Sequence, residues 1–135
     1  MKKSAVVLVV ILSLFSLQIF AQEGKPGETK SKVVYTEVFE KGNSLGQVVE
    51  SKVEYDQQGN ILKEYDYNKE GKLKAYTVYT YKGNKKETET LYSGDNKVVE
   101  KNVYTYNAKG DKISKVTYNG ANKMIKKKVY SYEYF

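Results

Sequence analysis

The chain of 135 residues has no cysteine, histidine, tryptophan or arginine, and a single proline. Each absence closes a route. Without cysteine, neither disulfides nor thiolate metal sites can hold a small domain together, and acylation at a cysteine is excluded. Without histidine, Ser-His-Asp and Cys-His catalysis and imidazole metal ligation are excluded. Without arginine, the best bidentate reader of phosphates and base edges is missing. The glycines stand singly, so no phosphate-cradling glycine loop is present. Cofactors and metals are therefore not expected.

What is there begins with an apolar leader. Met1, Lys2 and Lys3 form a positive start, Ala5 to Phe20 is almost wholly apolar, and Ala21 offers a small residue before Gln22. That is the layout of a secretory signal peptide over residues 1–21. Its apolar run is shorter than the ~20 residues a spanning helix needs. The chain is therefore expected to be exported, to the periplasm or to the cell surface and beyond, and to meet the membrane only through this segment. Residues 22–31, which hold Pro26, read as a flexible polar leader. The rest, 32–135, is expected to be one domain.

Removing Lys2 and Lys3 leaves 21 lysines against 16 acids. These lysines are interleaved with glutamates through the whole domain rather than clustered on one patch, so nucleic acid is not an expected partner.

From Lys32 onward apolar and polar residues alternate, punctuated by Gly, Asn and Asp, which is the pattern of strands and turns. Tyr55, Tyr67, Tyr81, Tyr92, Tyr106, Tyr118 and Tyr132 each end a segment, at spacings of 12, 14, 11, 14, 12 and 14. Taken in pairs the period is 25 or 26 residues, one hairpin per repeat. Long arms end at Tyr55, Tyr81, Tyr106 and Tyr132; short arms end at Tyr67, Tyr92 and Tyr118; an opening strand covers Lys32 to Phe39. Lys82-Gly83-Asn84, Ser93-Gly94-Asp95-Asn96 and Asn119-Gly120-Ala121-Asn122 read as tight hairpin turns, where Gly and Asn tolerate positive φ. Asp56 to Gly59, Asn68 to Gly71 and Asn107 to Gly110 read as longer turns opened by an Asx side chain. The expected fold is all-β: an antiparallel up-and-down meander of about eight strands.

Side chains alternate faces along a strand. Tyr79, Tyr81, Tyr104, Tyr106, Tyr130 and Tyr132 are thus expected to form a ladder on one face, with Tyr67, Tyr92 and Tyr118 filling between. Val78, Val103 and Val129 fall on the other, β-branched face. The short arm Lys85 to Leu91 places carboxylates where a closed dry core could not hold them. An open twisted sheet, wet on both faces, fits better, with a curled half-barrel as the alternative. Lys30 and Lys32 at one edge, and Lys126, Lys127 and Lys128 at the other, read as guards against edge-to-edge aggregation.

Tyr55-Asp56-Gln57-Gln58-Gly59-Asn60-Ile61 resembles the tyrosine–aspartate motif of the RHS/YD repeat family, with Asn-bearing copies at Tyr67 to Leu73 and Tyr106 to Ile113. The likeness covers about Gln47 to Tyr132. It implies a strand–turn unit; large members of that family build β-shells around toxin cargo, and no toxin segment accompanies the repeats here. The leader and the Tyr/Lys-rich meander also resemble small exported Bacteroidota proteins of unknown function, and in strand composition the open meanders of spirochaete outer surface proteins.

No enzyme is expected. The entertained carboxylate pairs, Glu64 with Asp66 and Glu87 with Glu89, would need a dry cleft to set their acidities apart. The final alternation Val129 to Phe135 has Phe135 in phase with Glu133 rather than with the tyrosines, which argues against a membrane barrel. The tyrosine face is the candidate site, for a cell-envelope glycan, a peptide or a partner protein. The alternative is a carrier whose half-barrel would hold an apolar ligand.

Overall fold

The computed structural model describes residues 29–135; the expected signal peptide and the leader up to residue 28 lie outside the described residues. Eight strands follow in chain order: β1 (Ser31–Glu40), β2 (Asn43–Tyr55), β3 (Ile61–Tyr67), β4 (Leu73–Lys82), β5 (Lys85–Ser93), β6 (Val98–Tyr106), β7 (Lys112–Asn119) and β8 (Met124–Val129). They form one sheet in the order β1 to β8, and every neighbouring pair is antiparallel. Each strand touches only its neighbours in sequence; β1 and β8 do not meet, so the sheet is not closed into a barrel. The described residues contain no helix. The last long arm is shorter than the alternation suggests: β8 stops at Val129, and Tyr130 to Phe135 follow it without regular secondary structure.

The turns explain the tight order. Asp56–Asn60, Asn68–Lys72, Ser93–Lys97, Asn107–Asp111 and Asn119–Lys123 share one plan. In each, the fourth residue's N–H donates to the first residue's carbonyl, and the first residue's N–H donates to the fifth residue's carbonyl, all at 2.8–3.1 Å. The fourth residue takes a left-handed φ: Gly59, Gly71, Asn96, Gly110 and Asn122. This is a type I turn closed by a left-handed residue. Ser93–Lys97 and Asn119–Lys123 therefore belong with the longer class and are not tight turns. Their Gly94 and Gly120 do another job: a Cβ there would sit 2.3 Å from the carbonyl oxygens of Leu73 and Val98, respectively. Only a residue without a side chain lets the backbones approach so closely. Gly83-Asn84 is a true two-residue turn, with φ of 61° at Gly83.

A single sheet has no second layer to bury against. Among the apolar residues described only Tyr104 is buried, at 9% exposure, beside Asn102 at 4% and Thr117 at 6%. These three sit near the middle of β6 and β7. Stability is spread along the seams between strands, as in other repeat proteins where each unit contacts only its neighbours.

Candidate functional site

Paired residues on neighbouring strands share a face. Tyr79 pairs with Glu89, Glu89 with Asn102, and Asn102 with Thr117, which defines the first face. Tyr65 pairs with Tyr76 and Tyr76 with Tyr92, which defines the second.

On the first face the long-arm tyrosines are tied down by a repeated pair of hydrogen bonds. The Tyr104 hydroxyl donates to Glu89 at 3.1 Å, and the Tyr79 hydroxyl donates to Glu64. Two residues further along each arm, Tyr81, Tyr106 and Tyr132 donate to the backbone carbonyls of Ile61, Lys86 and Lys112 at 2.7–2.8 Å. The carboxylate is always 15 residues back and the carbonyl 20. Lysines cover the rings: Lys86 Nζ lies 4.1 Å from the Tyr79 ring centre and 3.3 Å from Glu89, and Lys112 Nζ lies 4.7 Å from the Tyr104 ring centre. The ammonium groups face the negative faces of the rings while the lysine stems cover apolar surface.

Burial, then the neighbouring Glu64 charge, pushes the Tyr79 hydroxyl well above its ordinary ionisation range. Burial, then Glu89, does the same for Tyr104. Burial also raises Tyr81 and Tyr106. A phenol that donates to a carboxylate resists becoming a second anion beside it.

The six candidate tyrosines thus differ in access. Tyr79, Tyr81 and Tyr106 are half-buried and Tyr104 is buried, whereas Tyr130 and Tyr132 are 36% and 44% exposed. Tyr67, Tyr92 and Tyr118 do not fill between them. Tyr92 stacks on Tyr76 with ring centres 4.8 Å apart, and Tyr76 on Tyr65 at 5.8 Å, on the second face. Tyr118 pairs with Lys101, and Tyr67 follows Tyr65 by one full alternation, so both point to the second face as well. That face is therefore aromatic too, and not simply β-branched. The reason is that a short arm shares its partner's face residue by residue, and the parity of each pairing is set by the turn, not by the tyrosine spacing.

Alternation alone missed the acceptors. Glu64 and Glu89, entertained as catalytic carboxylates, are where tyrosine hydroxyls end; the recurring 15-residue interval between Tyr and Glu was the available signal. Asp66 pairs instead with Lys74 at 3.4 Å, and Glu87 is exposed where β5 bulges against β4. The buried Asn102–Thr117 pair was also not foreseen. Thr117 Oγ1 donates to Asn102 Oδ1 at 2.7 Å, and Asn102 Nδ2 donates to Glu100 at 3.0 Å.

Asp56, Asn60, Leu62, Tyr79, Tyr81 and Gly83 line a shallow depression of about 570 Å³, open to solvent. Among the described residues no three or more Asp or Glu side chains gather as metal ligands, and no helix is long and apolar enough to cross a membrane. No protein-family model matches the chain, and no curated protein matches it.

Proposed function

We propose that this chain is a non-enzymatic exported binding or scaffold protein, whose tyrosine-rich first face contacts a cell-envelope glycan, a peptide or a partner protein. The observation that carries this reading is the fixing of the rings. Tyr81, Tyr106 and Tyr132 are each anchored through the hydroxyl to a backbone carbonyl, so the aromatic strip is rigid before any ligand arrives. Rigid tyrosines give contact area at low entropic cost. The accessible end of the strip is Tyr130 and Tyr132, which are partly exposed, with the Tyr132 ring stacked on Tyr134 at 6.3 Å between centres. Export rests on the signal-like residues Met1 to Ala21.

The carrier alternative gains no support, because a carrier encloses its ligand, whereas the sheet of the described residues is open and the depression lined by Asp56 and Tyr81 faces solvent.

The test is retention of purified protein on peptidoglycan sacculi and on immobilised cell-envelope glycans. The double variant Tyr130→Ala/Tyr132→Ala, checked for an unchanged β-sheet circular dichroism spectrum, should be retained several-fold less than the parent. Equal retention of the two folded proteins would remove the tyrosine face as the contact surface.

A further inference from the structure

The two edges of this sheet differ from each other, and each fits the other better than it fits itself. We propose that β8 of one copy pairs antiparallel with β1 of the next, continuing the sheet head to tail, with Val129 opposite Tyr35 and Lys127 opposite Glu37.

The register comes from the repeat. Long arms and short arms alternate through the sheet, and β8 is a long arm while β1 lies in a short-arm place. Within the chain, Thr77, Asn102 and Lys128 pair back to Glu64, Glu89 and Lys115. The corresponding residue of β2 is Ser51, which pairs back to Val34. Tyr35 therefore occupies the place of Tyr65, Thr90 and Val116, whose partners on the preceding strand are Lys52, Val78 and Val103. The next member of that series is Val129.

The backbone agrees. The Tyr130 N–H donates inward to Ile113 O at 3.0 Å, so Val129 and Lys127, one and three residues earlier, turn their hydrogen-bonding groups to the open side. Lys30 O accepts from Tyr55 N–H, and the register shifts between β1 and β2 place their extra residues in β2. Tyr35 and Glu37 therefore also present their backbone groups outward. Both sets belong to hydrogen-bonded pairs of the same parity, which is what an antiparallel seam requires.

The side chains agree as well. Val129 is 72% exposed and Tyr35 57%, and Ile125 and Phe39, each 57% exposed, come to the same end of the seam. Among the described residues no ion pair engages Glu37 or Lys127. Two β8 edges laid antiparallel about Lys127 would set lysine against lysine, and two β1 edges about Glu37 would set glutamate against glutamate. The edge charges thus oppose like-with-like pairing and permit the heterologous one. A head-to-tail contact of this kind leaves a free edge on each end copy and propagates, as an open row or as a ring where the rotation between copies closes.

Sedimentation velocity on protein from the full chain should give a mass that rises with concentration above that of one copy. Lys127→Glu and Glu37→Lys should each lose that rise, and an equimolar mixture of the two should regain it, with the two variants alternating along the assembly. A second measurement does not depend on those variants. Because the chain has no cysteine, Lys127→Cys and Glu37→Cys proteins can be mixed and oxidised, and disulfide-linked dimer should form only in the mixture. A chain that stays monomeric at every concentration, association unchanged by Lys127→Glu, dimer from Glu37→Cys alone, or a purely intramolecular bond in the doubly substituted chain would each overturn the proposal.

Discussion

The Tyr104 hydroxyl reaches diagonally across the seam between β6 and β5 to the Glu89 carboxylate, at 3.1 Å. Glu89 is also the direct partner of Tyr79, so one carboxylate links two rungs of the tyrosine ladder. In an open sheet with almost no buried apolar residues, such links replace a second layer.

Tyr104→Phe removes this bond and keeps the ring. It should cost about 1 kcal/mol in urea unfolding, the net worth of one hydrogen bond. Tyr104→Ala also removes a buried aromatic ring and should cost about 3 kcal/mol. Equal losses in the two variants would show that ring burial contributes nothing.

Alkali should weaken the fold. Tyr79 and Tyr104 are held neutral above the ordinary tyrosine value of 10.0, by burial and then by Glu64 and Glu89. The unfolded chain loses these protons near pH 10 while the folded chain keeps them. Above that pH the unfolded state binds fewer protons, so stability is complete below pH about 10 and falls as pH rises beyond it. The check is the urea midpoint against pH, with tyrosinate absorbance read in parallel. In Tyr79→Phe/Tyr104→Phe the fall should be shallower; an identical slope would refute the assignment.

Gly94→Ala and Gly120→Ala should each destabilise by roughly 2 kcal/mol, because the added Cβ meets a carbonyl oxygen at 2.3 Å. Neither glycine has left-handed backbone, so the loss is steric. Thermal melting decides it, and a variant as stable as the parent would mean that the two backbones move apart at no cost.

The third repeat breaks the ladder: Lys115 stands where Glu64 and Glu89 stand, directly opposite Lys128, and no hydrogen bond engages the Tyr130 hydroxyl among the described residues. Lys115→Glu should supply the acceptor and remove a like-charge pair, stabilising by about 1 kcal/mol and raising the melting temperature by several degrees. In a Tyr130→Phe background most of the gain should vanish. A gain of the same size there would assign the whole effect to charge.

The eight strands were readable because a period of two and recurring Gly/Asn turns are local properties of the chain. So was the shared face of Tyr79, Tyr81, Tyr104 and Tyr106, since strand alternation alone puts them together. The turns at Ser93 and Asn119 were misread because a glycine in second place looks like a hairpin glycine. There the positive φ falls on Asn96 and Asn122, and the glycine serves a neighbouring strand that lies some twenty residues away.

Local patterning by itself determined the strand count, the antiparallel order and the excluded chemistries, because each depends on residue identity and short-range spacing. Only the tertiary structure decided that Tyr92 stacks on Tyr76 on the opposite face, that Glu64 and Glu89 end tyrosine hydroxyls, and that Asn102 and Thr117 are the most buried side chains. Those outcomes depend on the register between strands, and every seam carries a register shift. A single inserted residue changes which side chains meet while leaving the alternation within each strand untouched.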